Sequence, residues 1–126
     1  MNEKVLIIGA GHGLSTSIAR LFAAKGMKVG LAARNIEKLA ALADEIGAST
    51  FTCDASDPDA VVELFKAFGT DIGCPDILVY NPSSRVRGPI TEIDAAATKD
   101  AILVSAYGAF LAAQQAAIRM LKAGSG

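Results

Sequence analysis

The chain has 126 residues, enough for one domain with its loops and too few for two ordinary ones. Its composition is 52% hydrophobic, 20% charged and 6% aromatic, with a mean hydropathy of +0.38, which excludes a disordered tail or low-complexity fibre and requires a large buried core. Twelve Lys and Arg against thirteen Asp and Glu give a formal net charge of −1, so no long-range positive field exists to hold nucleic acid or an anionic membrane, and neither is expected as a partner.

Val5 to Ile8 is a short apolar run ended by Gly9, and Leu14, Ile18, Leu21 and Phe22 follow at helical spacing until Gly26, which predicts a strand and then a helix. Lys28 to Ala33 reads as a second buried strand, after which Asn35 caps a helix carrying Ile36, Leu39, Leu42, Ala43 and Ile46 and closed by Gly47. Ser49 to Cys53 is a third, weaker strand. Asp57 and Pro58 open another helix, with Pro58 at its first position and Val61, Val62, Leu64, Phe65 and Phe68 on its inward faces. Asp76 to Tyr80 is the fourth strand, and a loop rich in Pro, Ser, Arg and Gly (Asn81 to Pro89) leads to a long helical segment from about Ala95 to Lys122. Strands that are apolar throughout are covered on both faces, and here a helix separates each from the next. The predicted architecture is one α/β domain over residues 1–126, a Rossmann-type doubly wound parallel sheet of four strands with right-handed crossovers.

Two cysteines, Cys53 and Cys74, and one histidine, His12, cannot supply the four ligands of a structural zinc site and are too few to frame a secreted domain with disulfides. No metal and a reduced, cytoplasmic setting are the expectation. Only four apolar residues precede Gly9, too short a run for the hydrophobic region of a signal peptide. Ala101 to Ile118 carries no charge over eighteen residues, so a membrane span has to be weighed; Ser105, Gly108, Gln114 and Gln115 interrupt it, and a helix buried on two sides looks the same. No membrane is expected.

Gly9-Ala10-Gly11-His12-Gly13-Leu14-Ser15 lies between the first strand and the first helix, where a dinucleotide fold holds pyrophosphate. Glycine permits the tight turn, and the helix N-terminus turns free backbone N–H groups toward the anion. The alternative is a turn that only lets the first helix pack closely on the sheet. The end of the second strand discriminates among nucleotides, since an acid there would hold ribose hydroxyls. This chain has Ala33-Arg34-Asn35 instead, and Arg34 can pair with a 2′-phosphate, so NADP(H) is preferred and NAD(H) remains possible, whereas a methyltransferase is disfavoured. Alternatively, Arg34 is a solvated residue at a helix start.

Four motifs in order, Gly9-x-x-x-Gly13, Ala33-Arg34-Asn35, Cys53-Asp54-Ala55-Ser56-Asp57 and Leu78-Val79-Tyr80-Asn81, resemble the N-terminal half of the short-chain dehydrogenases/reductases, over the entire chain. The resemblance implies that Asp54, with Ala55 beside it, hydrogen-bonds the adenine amino group, and that Asn81, Pro82 and Ser83 line the cofactor's ribose. Gly9, Gly11, His12, Gly13, Leu14, Arg34 and Asn35 complete the expected cofactor-binding set. The chain departs from the family pattern at Ile8, where Thr is usual, at Ser15, where a third glycine is usual, and at Tyr80-Asn81-Pro82-Ser83, which stands for Asn-Asn-Ala-Gly. Ser105 aligns with the helix Asn that supports the family's proton relay and is the candidate catalytic residue in this chain.

The family's Ser and Tyr-x-x-x-Lys lie on a fifth strand and fifth helix, and here neither Tyr80 nor Tyr107 has Lys four residues on; Ser84 and Leu111 stand there. Gly124-Ser125-Gly126 resembles the turn into that fifth strand, so the expectation is the NADP(H)-binding portion of a longer oxidoreductase that moves hydride between nicotinamide and a carbonyl or alcohol. A non-catalytic NADP(H)-binding or sensing module is the alternative. The helix over 95–122 carries apolar residues on more than one face, with small residues Gly108, Ala109, Ala112, Ala113, Ala116 and Ala117 that let a second copy approach, which predicts a homo-oligomer.

Overall fold

The computed structural model describes residues 2–126. Four strands, β1 (Lys4–Ile8), β2 (Lys28–Ala33), β3 (Ser49–Thr52) and β4 (Ile77–Tyr80), form one parallel sheet in the order β3-β2-β1-β4. Ile7 of β1 pairs in register with Leu31 of β2 and Val79 of β4, so the most apolar run of the chain takes the position with a strand on either side. Alternation along β1 then sends Leu6 and Ile8 to one face and Val5 and Ile7 to the other.

The face bearing Leu6 and Ile8 is covered by α3 (Pro58–Asp71) and α5 (Gly108–Ala123), through Val61, Leu64, Phe65 and Phe68 of the first helix and Leu111, Ala112 and Ala116 of the second. The opposite face is covered by α1 (Leu14–Ala24) and α2 (Ala40–Ile46), through Ala19 and Leu42, with Leu39 just ahead of α2. This is the α/β doubly wound arrangement expected from the sequence.

Local signals set most boundaries. Asp57 accepts the Asp59 N–H at 3.0 Å and Pro58 occupies the first helical position, which starts α3 as predicted. Gly47 closes α2 in the left-handed conformation at φ 68°. Asn35 caps the next helix as predicted, its carboxamide accepting the Glu37 N–H at 3.0 Å, and that helix opens with a 3-10 turn (Glu37–Leu39) that runs directly into α2 at Ala40. On α1 the spacing of Leu14 and Leu21 is helical, yet both are exposed, at 64% and 55%; Ser15 and Ala19 are the buried positions, and Ile18 and Phe22 pack half-buried beside them.

The long C-terminal helix runs unbroken over Ala95–Ala123, as expected, with α4 (Ala95–Ile102) and α5 continuous through a π-helical turn over Leu103–Tyr107. By length and composition the stretch Ala95–Ala123 could cross a membrane, but only one side of it is buried here, with Ala101, Gly108, Leu111, Ala112 and Ala116 inward. Ile102, Phe110, Ile118 and Leu121 face outward. β4 is an edge strand whose four residues are half-buried, since only β1 pairs with it.

Candidate functional site

The carboxyl ends of all four strands open onto one cleft of about 340 Å³. In this strand order the chain turns to opposite sides of the sheet after β1 and after β4, and an open parallel sheet leaves its crevice at that point. Ile8, Ala33, Cys53 and Asn81 mark the four strand ends along it.

The glycine loop forms the floor. Gly9 N–H and Ala10 N–H both reach the Ala32 carbonyl, at 2.9 and 3.1 Å, so the turn is tied to β2 as it leaves β1. Gly9 sits at φ 82°, and a Cβ there would come 2.7 Å from the Asn81 carbonyl carbon; the loop after β4 presses directly on this glycine. Gly13, also at φ 82°, is the N-cap of α1 and provides no side-chain cap, and no acid occupies the first turn, so the free N–H groups at that end remain available to an anion. The Thr16 hydroxyl donates to the Gly11 carbonyl, and the Ser15 hydroxyl donates to the Gly9 carbonyl at 3.2 Å, which fixes the loop from the first turn of the helix.

Of the residues expected from the sequence, Gly9, Gly11, His12, Arg34, Asp54, Ala55, Asn81, Pro82 and Ser83 line the cleft. Gly13, Leu14 and Asn35 do not: Gly13 caps α1, Leu14 points to solvent, and Asn35 shapes the turn that follows Arg34. Asp54 accepts both the Ser56 hydroxyl, at 2.7 Å, and the Ser56 N–H, at 3.0 Å. These two bonds, with a smaller contribution from the Arg34 charge, hold its carboxyl below the usual aspartate range despite slight burial, so it is a fixed acceptor at the cleft rim.

Ser105 lies outside the cleft wall, on the π-helical turn. Its hydroxyl accepts the Ser84 N–H at 3.1 Å and donates to the Ser84 carbonyl at 3.2 Å, pinning the loop that carries Pro82 and Ser83. Tyr80 is likewise committed, because its hydroxyl donates to the Val104 carbonyl of the same turn, and burial followed by the neighbouring Cys53 and Asp54 raises its pKa. The cleft also takes in Ala10, Lys38, Cys53 and Val104, to which the sequence assigned no binding role. Lys38 stands four residues after Arg34, a spacing that would have suggested a second cation on the same side. Val104 gave no signal, since only the chain's folding brings the π-helical turn against the end of β4. Burial first, and then the charges of Asp54 and Asp57, push the Cys53 thiol up to about 11, which disfavours its thiolate. Among the described residues no group of three or more His, Cys, Asp or Glu side chains could hold a metal ion.

A glycine turn backed by another loop, uncapped N–H groups at a helix start, and two cations with a fixed carboxylate acceptor along the same cleft together fit a dinucleotide. Comparison with known proteins agrees. A gluconate 5-dehydrogenase of Gluconobacter oxydans is 30% identical over 128 residues, covering 98% of this chain and 50% of its own. Among solved structures, a short-chain type dehydrogenase/reductase from Mycobacterium marinum is 30% identical with a TM-score of 0.90, covering 98% of this chain and 52% of its own. An actinorhodin polyketide ketoreductase variant solved with NADPH reaches a TM-score of 0.94 at 27% identity, covering 99% of this chain and 51% of that one. The chain thus spans about half the length of the curated relatives it matches. The family profile described as short chain dehydrogenase matches residues 3–126, and with the strand order and the glycine loop this establishes that the chain belongs to the short-chain dehydrogenase family of oxidoreductases.

Proposed function

We propose that this chain forms the NADP(H)-binding portion of an oxidoreductase that transfers hydride between nicotinamide and a small carbonyl or alcohol substrate. The observation that carries the cofactor choice is Arg34, which lines the cleft at the end of β2 where an acid would hold the ribose hydroxyls of NAD. Arg34 would hold the 2′-phosphate, the start of α1 and the Gly9–Gly13 turn the pyrophosphate, Asp54 the adenine amino group, and Asn81 the nearby ribose. The bound nicotinamide supplies the hydride chemistry. Ser105, through Ser84, keeps the loop beside that ribose in place, a positioning role in this reading.

Calorimetric titration of NADPH and NADH tests it. A charge-assisted contact to phosphate is worth about 1.5–3 kcal/mol, so NADPH is expected to bind tenfold or more tighter, and Arg34→Ala to remove most of that difference. Equal affinities in the wild type refute the cofactor choice. No Tyr-x-x-x-Lys occurs in the 126 residues, so this chain alone is expected to show no turnover on aldehydes, ketones or alcohols.

A homo-oligomer belongs to the same reading. It is supported by the outward face of α5, where Phe110 is 56% exposed with Tyr107 stacked on it at 6.3 Å and Leu121 is 83% exposed. Light scattering at tens of micromolar should report more than a monomer, and Phe110→Asp should lower the mass. A cytoplasmic setting accords with the two free cysteines.

A further inference from the structure

Arg34 does not stand alone on its lip of the cleft. The short turn Glu37–Leu39 is set by the Asn35 carboxamide at one end and by the buried Leu39 side chain, 1% exposed, at the other. Between them Lys38 is carried back over the glycine loop: a methyl group placed on Gly11 would lie 3.8 Å from the Lys38 ammonium nitrogen. The ammonium therefore hangs between the glycine loop and the end of β2, and Lys38 lines the same cleft as Arg34. The ion pairs among the described residues are Arg20 with Glu45 and Lys66 with Glu63, and Lys38 belongs to neither. A cation turned into a cleft without a carboxylate partner is placed to meet an anionic ligand group.

We infer that Lys38 is a second specificity-determining residue, whose ammonium holds the ribose 2′-phosphate together with Arg34. This rests on the NADP(H) reading above and extends it to a paired site. The chemistry of the pair suits a phosphate monoester: the planar guanidinium grips two oxygens from the β2 end, and the ammonium, a compact point charge on a flexible stem, neutralises the remaining oxygen from the side of Gly11. Pyrophosphate has its own donors at the start of α1, where no acid or side-chain cap competes, and does not need Lys38.

Calorimetric titration of NADPH, NADH, adenosine 2′,5′-bisphosphate and 5′-AMP against wild type, Lys38→Met, Lys38→Arg and Arg34→Ala tests the assignment. Lys38→Met should weaken NADPH and the bisphosphate by about tenfold, change NADH and 5′-AMP by less than about twofold, and Lys38→Arg should restore most of the loss. Equal weakening of NADPH and NADH by Lys38→Met overturns it, because the ammonium would then serve a group common to both; so does unchanged NADPH binding. A wild-type NADPH preference that survives Lys38→Met and disappears with Arg34→Ala refutes the role of Lys38 alone. Absence of any wild-type preference refutes the NADP(H) reading and this inference with it.

Discussion

The Asn81 side-chain amide donates to the Ser15 hydroxyl at 2.9 Å, across 66 positions of sequence. Ser15 is 1% exposed and its hydroxyl donates a hydrogen bond to the Gly9 carbonyl at 3.2 Å. One hydroxyl thus joins the loop after β4 to the phosphate turn and to the first turn of α1. In the sequence Ser15 reads as a missing third glycine. In the fold it is the only buried polar side chain of the described residues, and its hydrogen bonds satisfy it.

Ser15→Ala leaves the Asn81 amide without that acceptor and frees the Gly9 carbonyl. The expected cost is about 1–2 kcal/mol of unfolding free energy, with weaker dinucleotide binding because the loop is no longer tied to the helix. Urea denaturation and calorimetry measure the two effects. Unchanged values in both would show that the link contributes nothing.

Gly108 starts α5 in close contact with the end of β4 and the Ala55 backbone: a Cβ there would collide with the Tyr80 hydroxyl and come 2.6 Å from the Ala55 carbonyl oxygen. Gly108→Ala should destabilise by about 1–3 kcal/mol through overpacking, despite the better helix propensity of Ala. Tyr80→Phe alone loses its bond to the Val104 carbonyl, about 1 kcal/mol. The double variant should cost less than the two singles added, since removing the hydroxyl relieves part of the collision, and thermal denaturation of all three closes the cycle.

Ser105→Ala removes both bonds to Ser84 and should raise hydrogen–deuterium exchange over residues 82–86, while the melting temperature falls by no more than a few degrees because the site is exposed. Ser105→Asn, which carries a donor and an acceptor, should restore protection. Protection that is indifferent to both changes would remove Ser105 from any positioning role.

Asp54 supplies a pH test. Its carboxyl is held low by the Ser56 hydroxyl and N–H, so the stability it contributes is present above the ordinary aspartate range and is lost as pH falls through its depressed folded-state value. Ser56→Ala should move the Asp54 titration, followed by NMR, up toward that range. Arg34→Ala should move it in the same direction by a smaller amount.

Thiol labelling at pH 8 should separate the cysteines. Cys53 is 4% exposed with its thiol pushed up to about 11, whereas Cys74 is only half-buried. Cys74 is expected to react first, and Cys53 to react at a comparable rate only in denaturant.

The sequence by itself determined the α/β order, the four strands and the helix starts at Pro58 and stops at Gly26 and Gly47, because these follow from apolar runs and from residues whose backbone preferences act locally. It also placed Gly9, Arg34, Asp54 and Asn81 at strand ends, where a parallel sheet gathers them. Only the tertiary structure decided what depends on contacts between distant segments: the burial of Ser15 in place of Leu14, the approach of Lys38 to Gly11, and the π-helical turn seated on Tyr80. Periodicity reports which residues share a face of a helix, but the face that turns inward, and how closely it approaches, depends on the volume left by the sheet beneath it.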